Sequence, residues 1–189
     1  MKELIQAMDY LLDKGIANPY IGIVLGTGLH QLLNYVDIKQ VIAYSDIPNF
    51  PVSTVEFHKG NLLYGTIGNK SVLIMQGRFH AYEGYSLQQV TFPIRVMKLL
   101  GVQKLFLSNA AGGINLKFRK GDLVMIDDHI NLLSCNPLIG KNYDELESCF
   151  PDMSEPYDAG IKILLIQKAK ELSIDLKKAV YAAVPGPNL

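Results

Sequence analysis

The sequence has no excess of charge of either sign and no long apolar run. Its 18 basic and 18 acidic residues give a formal net charge of zero. No basic stripe stands out, which disfavours a nucleic-acid or membrane partner. The longest apolar stretches, such as 161–166, are too short to span a bilayer. The N-terminus carries an acidic residue, Glu3, and no sustained apolar run, so it does not resemble a signal peptide. We therefore expect a soluble cytoplasmic protein.

Cysteine is scarce, and several catalytic motifs are missing. Cys135 and Cys149 form no CxxC pair and have no histidine at ligand spacing, so a zinc site is not expected. Two reduced thiols in a cytosolic protein are the plain interpretation. There is no Gly-x-Ser-x-Gly nucleophile motif and no reactive cysteine context. The sequence therefore favours chemistry that needs neither a metal nor a protein nucleophile.

Apolar residues make up 49% of the 189 residues, enough for one large core in a single domain or in part of a larger one. Short apolar runs bounded by turn residues alternate with helical patterns, which predicts an α/β fold. We expect one domain over residues 1–189, with a central mixed β-sheet flanked by helices. The predicted strands are 20–25, 41–44, 62–66, 71–76, 102–107, 123–126 and 177–184.

Helical spacing predicts three helices. The first covers 2–14. The second opens with a Ser86–Gln89 capping box and runs to about Leu100, with Pro93 inside it. The third is capped by Asp158 and should be amphipathic. Its expected apolar face consists of Ile161, Leu164, Leu165, Ala169 and Leu172. Residues 131–157 lack periodicity, which predicts a projecting loop whose aromatic residues contact another subunit.

Polar residues alternate directly after the predicted strand 71–76. Arg78 and His80 lie two residues apart, so in an extended segment their side chains point the same way. An arginine fork beside an imidazole donor suits a phosphate dianion. Tyr82 continues the alternation and can lie against a sugar. The alternative is an exposed loop in which these side chains are simply solvated.

Other glycine-rich or polar segments follow predicted strands. Residues 25–30 hold Gly26, Thr27 and Gly28, which taken alone predict only a tight turn. Residues 108–113 are small enough to admit a flat ring, and 50–60 form a candidate mobile loop around His58. Open α/β sheets bind ligands beyond the carboxyl ends of their strands. The residues by themselves therefore predict a phosphate or phosphorylated ligand with a planar group beside it.

Several of these segments resemble the signature segments of the trimeric purine nucleoside phosphorylases. The clearest are 77–85 (Gly-Arg-Phe-His-Ala-Tyr-Glu-Gly-Tyr) and 109–113 (Asn-Ala-Ala-Gly-Gly). Further similar segments occur in the same order along nearly the whole chain. They are 25–29, 47–51, 53–55, 128–132, 136–140, 150–154 and 185–188.

The resemblance implies a pentosyltransferase that splits purine nucleosides of the inosine and guanosine type with inorganic phosphate, giving the free base and ribose 1-phosphate. It implies no cofactor and no metal, and a homotrimer. By resemblance His80 is the catalytic residue. The implied phosphate-binding residues are Thr27, His58, Arg78, His80 and Ala110. The implied nucleoside-binding residues are Tyr82, Asn109, Ala110, Gly112 and, from a neighbouring subunit, Phe150.

The resemblance also implies that the domain is incomplete at its C-terminus. The chain stops at Leu189, before the glutamate with which the family recognises the base. We therefore expect little activity from these 189 residues alone. Two alternatives stay open: a methylthioadenosine phosphorylase of the same fold, and a non-catalytic paralogue that binds phosphate or nucleoside.

Overall fold

A computed structural model describes residues 1–26, 28–52, 60–140 and 150–185. Thr27 and His58, two of the expected phosphate-binding residues, lie outside these ranges. The contacts between Cα atoms divide the chain into two compact units. The first unit contains Met1–Ala110, and the second contains Ala111–Ile139 and the described residues of Ser148–Leu189. The assignment of residues 1–189 to a single domain stays a prediction.

The first unit contains a five-stranded mixed sheet, as the sequence predicts. Its strands are β1 (Ile21–Val24), β2 (Asp37–Ala43), β3 (Asn61–Ile67), β4 (Lys70–Gln76) and β5 (Lys104–Leu107), in the spatial order β2-β3-β4-β1-β5. Strands β4, β1 and β5 run parallel, whereas β2 and β3 add an antiparallel side. A tight turn at Gly68 and Asn69 joins β3 to β4.

Strand β4 is buried on both faces, which explains why it reads as an unbroken apolar run. On one face Leu73 and Met75 join the core formed with α1 (Lys2–Asp13) and α2 (Leu87–Leu99). On the opposite face Val72 and Ile74 pack with Leu25 and Leu63. The residues of a short 3₁₀ helix, His30–Tyr35, contribute partly buried leucines to that second cluster.

The capping box of α2 forms as predicted. The amide of Gln89 donates to Oγ of Ser86 at 3.2 Å, and Oε1 of Gln89 accepts from the amide of Ser86 at 2.9 Å. The helix continues through the buried Pro93 to Leu99. Proline has no amide hydrogen, so one hydrogen bond is missing inside this helix.

The second unit contains the parallel pair β6 (Leu123–Asn131) and β7 (Leu176–Ala183), and α3 (Ala159–Glu171). Strand β6 is five residues longer than the predicted strand, which ended at Ile126. The polar residues Asp128 and His129 were not recognised as strand. They continue it because β7 pairs with β6 beyond a bulge between Ile126 and Asp128.

The third helix is confirmed, but the prediction that it is amphipathic is wrong. Oδ1 of Asp158 accepts from the amide of Ile161 at 2.9 Å, as a capping residue should. Of the expected apolar face only Ala169 is buried, and Leu164, Leu165 and Leu172 are exposed. Ile163 and Ile166 are exposed as well. The apolar residues therefore surround the helix instead of forming one stripe.

The described residues of the predicted loop, 132–140 and 150–157, contain no helix or strand. Tyr143 lies outside the described residues. Contact of this loop with another subunit stays a prediction.

Candidate functional site

Three parallel strands of the first unit end at one edge of the sheet. The register pairs Val24 at the end of β1 with Met75 in β4 and with Leu107 in β5. The residues that follow these strands therefore come together beyond their carboxyl ends, where open α/β sheets bind ligands. Gly26, Arg78 and Ser108 are the polar or small residues that meet there.

Arg78 and His80 lie on the same side of the chain, as their spacing predicts. Between them Phe79 is buried and faces the core, with its ring 5.1 Å from the ring of Tyr44. Nε of Arg78 donates to Nε2 of His80 at 3.2 Å. The Arg78 guanidinium also donates through Nη1 to the carbonyl of Ser108 at 2.6 Å. The arginine fork is therefore held on two sides.

Glu83 orients His80. Its Oε1 lies 2.6 Å from Nδ1 of His80 and accepts the backbone amide of the same residue at 2.9 Å. The side chain of Glu83 is 4% exposed and that of His80 is 18% exposed. A single buried carboxylate oxygen therefore holds both the ring and the backbone of His80. The sequence pattern by itself indicated no role for Glu83. Its place three residues after His80, the spacing of a capping box, is the signal that could have found it.

These contacts define the tautomer of His80. Arginine can only donate, so Nε2 of His80 accepts from Arg78 and carries no hydrogen. The hydrogen of the neutral ring is then on Nδ1, where it donates to Glu83. The assignment follows from the hydrogen-bond partners. In this arrangement the imidazole presents a lone pair to the guanidinium.

Tyr82 continues the alternation, as predicted, and stacks on His80. The ring centroids are 4.6 Å apart, and the planes are inclined by 16°. Tyr82 is 56% exposed, so one face of this aromatic pair is open to a ligand.

Ser108 links two of the strand ends; the sequence placed it in the candidate segment 108–113 but indicated no individual role for it. Its Oγ accepts from the amide of Gly26 at 2.9 Å and donates to the carbonyl of Val24 at 3.1 Å. Its own carbonyl accepts from Arg78. A hydroxyl residue directly after β5 is a recognisable candidate for a site residue. Its partners, Gly26 and Arg78, are distant in sequence and cannot be read from the local pattern.

Tyr44 lies behind the site and was also missed. Its hydroxyl donates to the carbonyl of Gly77 at 2.8 Å, and the residue is almost fully buried. Burial raises the pKa of the Tyr44 hydroxyl well above its usual range. Nothing in the local sequence marks this tyrosine as a partner of the segment after β4.

The remaining expected site residues divide between the two units. Asn109 and Ala110 follow Ser108 and are exposed, and Nδ2 of Asn109 donates to the Ala110 carbonyl at 3.1 Å. Gly112 and Phe150 belong to the second unit. Both are exposed, and Phe150 is 91% exposed. The roles given to all these residues stay predictions.

Among the described side chains, no three His, Cys, Asp or Glu residues are grouped as they would be to hold a metal ion. Within the same ranges, no helix has both the length and the apolar character needed to cross a membrane. Cys135 is exposed and free.

The chain matches a known family over most of its length. Residues 20–189 match the model described as the Phosphorylase superfamily. Purine nucleoside phosphorylase 1 of Bacillus subtilis is 49% identical over 189 residues, covering 100% of this chain and 70% of that protein. The same-named protein of Geobacillus stearothermophilus is 50% identical, covering 96% of this chain and 66% of that protein. Purine nucleoside phosphorylase of Mus musculus is 41% identical, covering 95% of this chain and 64% of that protein.

Solved structures agree with these relatives. Isoform 2 of purine nucleoside phosphorylase from Schistosoma mansoni, in complex with cytosine and ribose-1-phosphate, matches with a TM-score of 0.92 at 43% identity. That match covers 100% of this chain and 68% of the other. The class is therefore the phosphorylase superfamily. Within it, the chain belongs to the purine nucleoside phosphorylases. It spans about two thirds of the length of these relatives.

Proposed function

We propose that the protein catalyses the reversible phosphorolysis of purine nucleosides, with inorganic phosphate bound at the carboxyl edge of the β4-β1-β5 sheet. The observation that carries the proposal is the pair formed by Arg78 and His80. Their side chains contact each other at 3.2 Å, beside the backbone of Ser108. A guanidinium fork and an imidazole at one sheet edge match the charge and the donor geometry of a phosphate dianion.

Phosphate binding changes what His80 must do. The ring now accepts at Nε2, so it can donate from that atom to a phosphate oxygen only after the ring takes up a proton. Glu83 favours that uptake, because its buried carboxylate lies against Nδ1 and balances the positive charge of an imidazolium. Protonation ends the hydrogen bond from Arg78 to Nε2, so both side chains can then donate to the dianion.

In the proposed reaction a phosphate oxygen forms a bond to C1′ of the ribose as the bond from C1′ to the purine nitrogen breaks. The electron pair of the broken bond leaves with the base, which takes up the proton that hydrogen phosphate loses, and ribose 1-phosphate is the second product. The sugar is oxocarbenium-like at the transition state. A phosphate held by Arg78 and His80 then supplies both the countercharge and the nucleophile. No protein nucleophile is needed.

The other predicted contacts complete the proposal. Thr27, His58 and the amide of Ala110 join Arg78 and His80 around the phosphate. The exposed ring of Tyr82, stacked on His80, borders the ribose. The backbone from Asn109 to Gly112 borders the base. Phe150, 91% exposed, contributes to the sugar pocket of a neighbouring subunit in a homotrimer.

We further propose that the protein is cytoplasmic and uses no cofactor, with phosphate acting as a substrate. The preferred nucleosides are inosine and guanosine. The relatives are named purine nucleoside phosphorylases, which favours a general nucleoside phosphorylase over a methylthioadenosine phosphorylase.

The test is the affinity for inorganic phosphate, measured by isothermal titration calorimetry. Arg78→Gln removes the charge and one branch of the fork, and it should weaken binding by about 10- to 100-fold, the order of hydrogen bonds to a charged group. Arg95→Gln, on α2, is the matched control and should bind phosphate with the affinity of the wild-type protein. Equal phosphate affinity in the Arg78 variant contradicts the proposal.

Substrate class is tested on the gene's full product with inosine, guanosine and methylthioadenosine. Release of hypoxanthine or guanine that requires phosphate supports the nucleoside enzyme. Release of adenine from methylthioadenosine alone supports the first alternative. Phosphate binding without turnover of any of the three supports a non-catalytic paralogue.

A further inference from the structure

The hydroxyl of Ser108 ties the loop after β1 to the end of β5. Its Oγ accepts from the amide of the buried Gly26 at 2.9 Å and donates to the carbonyl of Val24 at 3.1 Å. The amide of Ser108 also donates to the Val24 carbonyl, at 3.2 Å. Ser108 therefore fixes the position of the amide of Gly26, the residue directly before Thr27 in the sequence.

The carbonyl of the same residue holds the phosphate-binding arginine. It accepts from Nη1 of Arg78 at 2.6 Å, a short distance for a hydrogen bond from a guanidinium. The side chain and the backbone of Ser108 thus act on different segments. One holds the Gly26 turn and the other holds the guanidinium.

Close packing joins these two contacts. A Cβ atom added to Gly26 would lie 2.7 Å from the carbonyl oxygen of Ser108, closer than real Cβ atoms come to backbone. Only glycine lets the turn approach the carbonyl that Arg78 contacts. A displacement of the Gly26 backbone therefore moves the carbonyl oxygen of Ser108, which accepts the hydrogen bond from Arg78.

We propose that Ser108 is the positioning residue of the phosphate site. It keeps the backbone of Gly26 and the Arg78 guanidinium in one fixed relation, so that this edge of the site is formed before phosphate arrives. This inference rests on the proposed function of the site. A preformed site binds more tightly because ordering its groups costs nothing at the moment of binding.

The chain contains a matched control for the Ser108 hydroxyl. At the opposite end of β1, Oγ of Ser71 accepts from the amide of Tyr20 at 3.0 Å and donates to the carbonyl of Asn18 at 3.1 Å. The two serines make the same pair of hydrogen bonds at the two ends of one strand. Ser71 lies at the amino end of β1, away from Arg78.

The experiment compares Ser108→Ala, Ser108→Thr and Ser71→Ala by titration with inorganic phosphate. Ser108→Ala should weaken phosphate binding by about tenfold, the order of one hydrogen bond. Ser108→Thr keeps the hydroxyl and should bind within about twofold of the unchanged protein. Ser71→Ala should lower the melting temperature without changing phosphate affinity. Gly26→Ala should also weaken binding, because its Cβ displaces the carbonyl that contacts Arg78.

A second readout needs no phosphate. The exchange of the Gly26 amide with solvent, followed by NMR, should be faster in Ser108→Ala than in the unchanged protein, Ser108→Thr or Ser71→Ala. If Ser108→Ala has the same Gly26 amide exchange rate as the wild-type protein, or the same phosphate affinity, the positioning role is overturned. The proposed function survives that outcome as long as the wild-type protein binds phosphate and Arg78→Gln does not. If Arg78→Gln binds as the unchanged protein does, the proposed function and this inference fail together.

Discussion

Oε1 of Glu83 lies 2.6 Å from Nδ1 of His80 and 2.9 Å from the backbone nitrogen of the same residue. A single carboxylate oxygen therefore orients the imidazole and closes the turn that follows it. The side chain of Glu83 is nearly buried, so neither contact is readily replaced by water. The orientation of the proposed catalytic histidine depends on this residue.

Glu83→Ala should weaken phosphate binding by about tenfold, because it leaves two donors of His80 without their acceptor. Glu83→Gln keeps an oxygen acceptor, so its phosphate affinity should lie between that of Glu83→Ala and that of the wild-type protein. The ring ¹⁵N shifts of His80 give an independent measurement, since the N–H at Nδ1 loses its carboxylate acceptor in the variant. The control is Glu171→Ala, which removes an exposed contact with Lys168. Unchanged ¹⁵N shifts in Glu83→Ala would contradict the orienting role.

The buried hydroxyl of Tyr44 should contribute measurably to stability. Tyr44→Phe keeps the ring in its aromatic cluster but leaves the carbonyl of Gly77 without this donor. We expect a loss of about 1–3 kcal/mol in the free energy of unfolding, measured by urea denaturation and circular dichroism. Tyr64→Phe is the matched control, because the hydroxyl of Tyr64 donates to the carbonyl of Ala17 at 2.9 Å in an exposed setting. Equal losses in the two variants would show that burial of this bond is unimportant.

Tyr44 should also make the protein sensitive to alkaline pH. Burial raises the pKa of the Tyr44 hydroxyl in the folded protein, whereas in the unfolded chain it ionises near its usual pKa of about 10. The unfolded chain therefore binds fewer protons above that pH, and stability falls as the pH rises. The expected contribution to the slope is about 1.4 kcal/mol per pH unit.

The measurement is urea unfolding of the unchanged protein and of Tyr44→Phe between pH 9 and pH 11. The stability gap between them should narrow as the pH rises, because the variant has no hydroxyl to ionise at this position. A constant gap across this range would show that Tyr44 ionises at the same pH in both states.

Asp127 should link three elements of the second unit in a pH-dependent way. It lies at the β6 bulge, where Oδ2 accepts from Lys178 on β7 at 2.9 Å and Oδ1 accepts from Lys162 on α3 at 3.1 Å. The hydrogen bonds from Lys178 and then from Lys162 lower the pKa of Asp127. Stability from this contact is therefore present above the usual carboxyl pKa. It is lost as the pH falls through the lowered value.

Asp127→Asn should lower the melting temperature at pH 7, and the difference from the unchanged protein should shrink under acidic conditions and in high salt. Asp175→Asn is the control, because Asp175 pairs only locally with Lys177. A melting-temperature difference that is independent of pH would contradict the role of the Asp127 charge.

Much of the fold followed from local patterns. The strands of the first unit, apart from the first four residues of β2, and the start of α2 were predicted because apolar runs and capping residues express short-range preferences. The predictions failed where long-range contacts decide the outcome. Strand β6 continues through Asp128 and His129 because β7 pairs with it. Apolar side chains at helical spacing on α3 did not ensure burial, since only Ala169 is buried.

The sequence by itself determined that Arg78 and His80 share one side of the chain, because an extended segment alternates its side chains about the buried Phe79. The sequence also placed Ser108 in the candidate segment 108–113, but only the tertiary structure showed which groups it contacts. Its contacts with Arg78 and Gly26 span 30 and 82 residues, and they depend on the parallel register of β4, β1 and β5. That register joins strands far apart in the sequence, and it is held where alternate side chains of β4 pack into two different apolar clusters, which a local sequence pattern cannot show.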